Sequence, residues 1–411
     1  MSNFHYKNSN LFGEDIKLSD VATEFGTPSY VYSKNALNTQ WELFEKSFAN
    51  MPHRICYAVK ANSNISILKF FAEKGAGFDI VSSGELERVL KAGGDPKKIV
   101  FSGVGKKTHE IEHAIDVSIG CFNVESIPEL HRLQSIAARK NLIAPIAFRI
   151  NPNIDPKTHP YIATGLNSNK FGIEYSQIIP LCEKLNEFSH VKLIGFACHI
   201  GSQLTELSPF IEAMDRMLSL TQQIQSLGIP LQHLNLGGGL GVTYHDENPP
   251  SIQEYVAAIK NKFNHNSFEI FIEPGRVMVA VAGILLTRVE YLKHTTHKNF
   301  AIIDAGMNDL MRPSLYDAWH DIVPLTVNNE EKKLYDVVGP VCESGDFFGK
   351  ERLLAINEGD LLAILNVGAY GFSMSSHYNS RPRPPEIMID GNKAYIIRKR
   401  ESVEDLFKNE L

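Results

Sequence analysis

The chain has 411 residues, 43% of them hydrophobic and 21% charged, with a formal net charge of -6. That length is too great for one ordinary core and predicts a large barrel-like domain with a smaller companion. The mildly acidic balance excludes nucleic acid as the main partner, and no apolar run approaches the roughly 18 residues that a membrane-spanning helix needs.

The first residues, MSNFHYKNSN, lack the charged start and apolar stretch of a signal peptide, so the cytoplasm is the expected compartment. A short apolar run, SYVYS (29–33), precedes the first long helical segment. From about residue 54, short β-rich runs alternate with amphipathic helical stretches. The runs are ICYAVK (55–60), FDIV (78–81), IVFSG (99–103), CFNVE (121–125), PIAFRIN (145–151), LIGFACHI (193–200), HLNLGG (233–238) and EIFIEPG (269–275). Eight parallel strands joined by crossover helices predict a closed (β/α)8 barrel over residues 34–285, with a doubly wound open sheet as the lesser alternative. The least regular stretch, NPNIDPKTHPYIATGLNSNKFG (151–172), follows the fifth strand, where a barrel places an active-site loop. After about residue 285 the pattern becomes β-rich without long helices: ILLTRVEYLK, FAIIDAG, KLYDVVGPV, DLLAILNVGAY and AYIIRKR. This predicts a C-terminal antiparallel β-sandwich or barrel domain (286–411) that also takes the N-terminal segment (1–33).

Five cysteines, at positions 56, 121, 182, 198 and 342, are odd in number and widely spaced, with no C-x-x-C pair. Neither a disulfide framework nor a metal site is expected.

Several polar residues occupy one address on the predicted barrel. Lys60 ends the first strand, His199 the sixth, Gly237, Gly238 and Gly239 follow the seventh, and Glu273 ends the eighth. All lie at C-terminal strand ends, the face on which barrel enzymes build their sites. Each has a bland alternative. A lysine leaving a strand snorkels to solvent, a histidine after a strand is commonly structural, three glycines make a plain turn, and Glu273 pairs with Arg276 in EPGR. The functional readings are different. A desolvated lysine is an amine nucleophile, glycines let backbone N–H groups approach a phosphate, and a carboxylate in a cleft pairs with a cationic ring nitrogen. Together, lysine, flat histidine, anion cradle and carboxylate form the set that holds pyridoxal 5′-phosphate.

The motifs YAVKAN, FDIVSSGEL, HIGSQ, LNLGGGLG, EPGR, CESGD and GAYG, in this order over nearly the whole chain, resemble those of the alanine-racemase-like, fold-type III pyridoxal-phosphate enzymes, and among them the diaminopimelate decarboxylase family. The resemblance implies that Lys60 is the Schiff-base lysine and that His199 stacks on the cofactor ring. It further implies that Ser202, Gly238, Gly239, the turn from Glu273 through Gly275 to Arg276, and Tyr370 surround the phosphate, that Glu273 meets the pyridine nitrogen, and that Asp79 supports the lysine. The implied activity is decarboxylation of meso-2,6-diaminopimelate at its D centre to L-lysine. Arg276, Arg312, Tyr316, Glu343 and Tyr370 would receive the distal end of the substrate. The implied assembly is a homodimer with shared sites, in which Cys342 and Glu343 enter from the partner. Cys342 is the first candidate for the proton donor and Lys60 the second. Residues 151–172 resemble a family segment that folds over the site. Ser82-Ser83 stands where the family often has two glycines.

Three other readings compete. An ornithine or arginine decarboxylase shares the cofactor set but gives Arg312 and Glu343 no common task. A racemase wants an arginine at the ring nitrogen, which Glu273 opposes. A non-catalytic regulatory relative has no need of Lys60, Cys342 and Glu343 together.

Overall fold

The computed structural model describes residues 4–155, 162, 164–165, 169–264 and 268–411. These divide into two compact units, one of residues 42–242 and 248–276, the other of residues up to 41, 243–247 and 277–411. The expected limits for the barrel were 34–285. The first division falls inside the helix Lys34–Phe48, and the strand Gly283–His294 pairs with Ser29–Ser33 in the other unit.

The first unit is a closed parallel barrel. Its strands are His53–Ala58, Gly77–Ile80, Ile99–Phe101, Cys121–Val124, Ala144–Asn151, Val191–Ala197, His233–Asn235 and Glu269–Ile272. Each pairs in parallel with the next, and the eighth pairs with the first, so no edge is left open. All eight apolar runs became these eight strands. Their near-continuous apolar character follows from burial on both faces, with Phe78, Phe101, Phe122, Phe148 and Phe196 inaccessible or nearly so. The connecting helices start at sequence-encoded caps. Asn64, Ser82 and Ser126 accept the backbone N–H of Ser66, Glu85 and Glu129, and Ser251 forms a reciprocal capping box with Glu254. Ser82, a departure from the family pattern, therefore has a local structural task.

The second unit is built on a β-sheet ordered 347–354, 333–338, 299–303, 283–294, 29–33, 386–390, 393–398, with 361–364 also on 283–294 and 322–324 on 361–364. It is antiparallel-rich but mixed, because 299–303 runs parallel to 333–338 and 386–390 parallel to 29–33. SYVYS takes a central place there, fully buried, which explains its unbroken apolar pattern. Val31, Ile284, Leu286, Ile387 and Ile389 pack into its core. Among the described residues, no helix is long and apolar enough to cross a membrane.

Candidate active site

The C-terminal ends of the barrel strands converge on a pocket of about 170 Å³ lined by Lys60, Asp79, Asn123, Arg149, His199 and Glu273, among others. Lys60 does not continue the first strand. That strand stops at Ala58, whose N–H donates to Pro274 O at 3.1 Å, and Lys60 follows in a 3-10 turn, Val59–Ala61. Tyr57 closes the turn by donating its hydroxyl to Asn62 O at 2.9 Å. Lys60 Nζ donates to Asp79 Oδ2. Asp79 is wholly buried, and among the described residues its Oδ1 has no hydrogen-bond partner. An ammonium and a sealed carboxylate thus face each other at the pocket, and one carboxylate oxygen is left over.

Glu273 sits just past the eighth strand, buried. Its Oε1 accepts from Asn235 Nδ2 at 2.6 Å and from Asn123 Nδ2 at 3.4 Å. Burial, reinforced by the negative charge of Asp79, pushes its pKa up to about 7, against the attraction of Lys60. His199 responds in the opposite sense. Burial, with the positive charges of Arg149 and Lys60, holds its pKa well below the ordinary imidazole value. The Gly238 N–H donates to Nδ1 at 3.2 Å, so the neutral ring carries its proton on Nε2. Thr164 Oγ1 donates to the His199 carbonyl at 2.8 Å and also lines the pocket, as does Phe171. Of the expected covering loop 151–172, residues 156–161, 163 and 166–168 lie outside the described residues.

The glycine run is required by close backbone approach. A Cβ on Gly238 would lie 2.1 Å from Glu273 O, and one on Gly239, whose φ is +114°, would lie 2.4 Å from Gly201 O. The N–H groups of Gly237 and Gly238 are directed to Asn235 Oδ1 and His199 Nδ1. Beside them, Arg276 Nη2 donates to Ser202 Oγ at 2.9 Å, which places a guanidinium and a hydroxyl together. Gly275 packs closely on Ala58 and Ala61, next to Lys60. These residues fit pyridoxal phosphate. An amine, a leftover carboxylate oxygen, a buried acid of raised pKa, a neutral flat ring and a guanidinium-hydroxyl pair all belong to one unit and one rim.

The other expected residues belong to the β-rich unit. Arg312 is buried, with Nη1 2.8 Å from His320 Nε2 and its guanidinium 4.3 Å from the Tyr244 ring centroid. His320 Nδ1 lies 2.8 Å from Leu365 O, which keeps the Nδ1 proton there and leaves Nε2 to accept from Arg312. A solvated surface arginine is thereby excluded. Tyr316 ends the short helix Arg312–Tyr316, and Tyr370 adopts a left-handed backbone with φ +58°. Cys342 and Glu343 are exposed. The Cys342 N–H donates to Asn379 Oδ1 at 2.8 Å, and a hydrogen bond to Glu343 raises the Tyr378 pKa.

Sequence reading missed Asn123, Asn235, and the pair of Arg149 with Glu125, whose Nη1 and Oε1 are 2.8 Å apart. The available signal was a polar residue inside an otherwise apolar run: FNVE, LNLGG and AFRIN. Among the described residues, no cluster of three or more His, Cys, Asp or Glu is placed to hold a metal.

The site is thus a lysine and its carboxylate at the mouth of a parallel barrel, with a buried acid in the same pocket and a glycine turn beside it. Residues 34–280 match the family model described as "Pyridoxal-dependent decarboxylase, pyridoxal binding domain". The chain is 54% identical to a Vibrio cholerae diaminopimelate decarboxylase over 409 residues, covering 99% of this chain and 98% of the relative. It is 51% identical to the Pseudomonas aeruginosa enzyme of the same name, over 100% of this chain and 99% of that one. Among solved structures, it matches a Helicobacter pylori diaminopimelate decarboxylase complexed with L-lysine at 43% identity and a TM-score of 0.92, covering 96% of this chain and 99% of that chain. The chain belongs to the pyridoxal-dependent decarboxylases and, within them, to the diaminopimelate decarboxylase family.

Proposed function

We infer that this chain is a pyridoxal-phosphate-dependent carboxy-lyase that converts meso-2,6-diaminopimelate to L-lysine and carbon dioxide by cleaving at the D centre. The observation that carries the reading is Lys60 held against the sealed Asp79 at the barrel mouth, in the pocket that Glu273 also lines. Full-length identity with diaminopimelate decarboxylases supports the choice of substrate. Lys60, Asp79, His199, Ser202, Gly238, Gly239, Glu273, Gly275, Arg276 and Tyr370 would hold the cofactor. When bound, pyridoxal phosphate supplies an electron-withdrawing conjugated ring that accepts the electron pair left as carbon dioxide departs.

The protein's own groups then have separable tasks. Asp79 orients the Lys60 amine and accepts its hydrogen bond, so the nucleophile points into the pocket. His199 offers a flat, uncharged wall, because its Nδ1 is committed to the Gly238 N–H. Glu273 holds or releases a proton near neutrality, in keeping with its raised pKa. Arg276 and Ser202 offer an anion a fork of donors. The barrel wall orients the scissile carboxylate and excludes water.

For the distal end of the substrate, Arg276, Arg312, Tyr316 and Tyr370 suit a carboxylate, and Glu343 suits an ammonium. Cys342 is the proposed proton donor to the carbon that loses carbon dioxide, with Lys60 second. Exposure of Cys342 and Glu343 supports a homodimer in which both enter the neighbouring site from the partner subunit. Segment 151–172 is the proposed cover, and the cytoplasm the proposed compartment.

The test is carbon dioxide release, with chiral analysis of the amine product, from protein and pyridoxal phosphate given meso-diaminopimelate, ornithine and arginine separately. The expected result is release from diaminopimelate alone, with L-lysine as the product. Release only from ornithine or arginine would overturn the assignment of the distal pocket, and release from none would favour a regulatory role.

A further inference from the structure

Asn235 closes the seventh barrel strand and is completely buried. Both ends of its carboxamide are committed. Oδ1 accepts the Gly237 N–H at 2.9 Å, and Nδ2 donates to Glu273 Oε1 at 2.6 Å. A backbone N–H only donates, so the oxygen end must face Gly237 and the NH2 end must face Glu273. Oε1 is therefore an acceptor whether or not the carboxyl is protonated. Asn123 Nδ2 approaches the same oxygen at 3.4 Å while donating to Ser102 Oγ at 3.0 Å. Among the described residues, no hydrogen bond reaches Oε2, and Glu273 lines the pocket. The glycine turn is also tied to Glu273 through the main chain, because the Glu273 N–H donates to Gly237 O at 2.7 Å.

We propose that Asn235 is a positioning residue that confines proton exchange of Glu273 to Oε2, on the pocket side, and locks that carboxyl to the glycine turn 237–239. The acid and the glycine turn then form one preorganised unit. This rests on the cofactor part of the function proposed above and not on the substrate. Charged groups acting on Glu273 are Asp79, Lys60 and Arg149. The Cys56, Cys121 and Cys198 thiols and the Tyr255 phenol also face its field, and burial keeps all four protonated. Asn235 is the neutral group in this set whose donor polarity selects between the two carboxyl oxygens.

The test uses full-length protein reconstituted with pyridoxal phosphate and reads cofactor dissociation constant, absorbance of the bound cofactor against pH, and melting temperature of the apoprotein. Asn235→Ala removes both bonds and raises the dissociation constant about tenfold, the cost of one hydrogen bond to a charged group. Asn235→Asp still accepts from Gly237 but sets a carboxylate oxygen against Oε1, so the two acids share a proton and the absorbance midpoint rises by about one pH unit. Adding Glu273→Gln to Asn235→Asp restores the bond with reversed polarity. In that double variant the pH-dependent step disappears and the apoprotein regains the melting temperature lost in Asn235→Asp. An Asn235→Asp midpoint equal to that of the wild type overturns the proposal, and so does an unchanged dissociation constant in Asn235→Ala. Wild-type protein that binds the cofactor normally but releases no carbon dioxide from diaminopimelate overturns the substrate reading and leaves these three readouts to decide on Asn235. Failure of the wild type to bind the cofactor overturns both.

Discussion

Lys60 and Lys106 are both lysines of the barrel unit, and their surroundings make them opposites. Lys106 is saturated: Nζ donates to Gly103 O at 2.9 Å, to Asn123 O at 2.7 Å and to Glu129 Oε1 at 2.7 Å, which uses all three of its protons. Its side chain is 1% exposed. Lys60 faces a carboxylate too, but its side chain is 35% exposed and lines the pocket. A sealed ammonium with three acceptors serves as a structural bolt, whereas a lysine that lines open volume can be reached by a ligand. Access to the pocket separates the two roles.

The sharpest way to break this contrast is Lys60→Ala, for which turnover is expected to fall by at least about 10³-fold with loss of the covalent cofactor absorbance. Full activity in that variant would sink the mechanism. Lys106→Met is the reciprocal case. Breaking a buried ion pair costs about 3–5 kcal/mol of stability, visible in denaturant unfolding, while the fraction that remains folded binds pyridoxal phosphate within about threefold of wild type. A large drop in affinity without loss of stability would move Lys106 from scaffold to site.

Arg312 extends the comparison to the β-rich unit, where a buried cation is held by His320 and Tyr244. Arg312→Ala should raise KM for diaminopimelate about tenfold to a hundredfold and change kcat less, as expected for loss of a charged hydrogen bond to substrate. An unchanged KM would leave Arg312 as scaffold. The last test concerns Glu273. Its pKa is raised from 4.5 to about 7 on folding. As pH climbs through that window, the unfolded chain loses this proton first, so the contribution of Glu273 to apoprotein stability declines from pH 4.5 to 7 and is flat on either side. Glu273→Gln should narrow the difference in melting temperature between about pH 5 and pH 7.5. An identical difference in both proteins would show that Glu273 does not titrate on folding.

The barrel was legible in the chain because a parallel strand buried on both faces must be apolar throughout, and the eight runs from ICYAVK to EIFIEPG satisfy that requirement in turn. Lys60, His199 and Glu273 stood out for the same reason, as polar residues at the ends of apolar runs. Helix starts at Asn64, Ser82, Ser126 and Ser251 were encoded locally by their caps. The strands Phe347–Leu354 and Glu386–Asp390 escaped notice, the first because the exposed Lys350, Glu351 and Leu353 break its apolar pattern.

The sequence by itself determined which segments become barrel strands and which residue types end them, because hydrophobic periodicity and capping act over a few residues. Tertiary structure alone decided which of those residues are chemically poised. Asp79 lies 19 positions from Lys60, Asn235 lies 38 from Glu273, and Glu125 lies 24 from Arg149. Closing the barrel brings these groups within hydrogen-bond reach, and only there do desolvation and neighbouring charge shift a carboxyl toward neutrality or deny a histidine its proton.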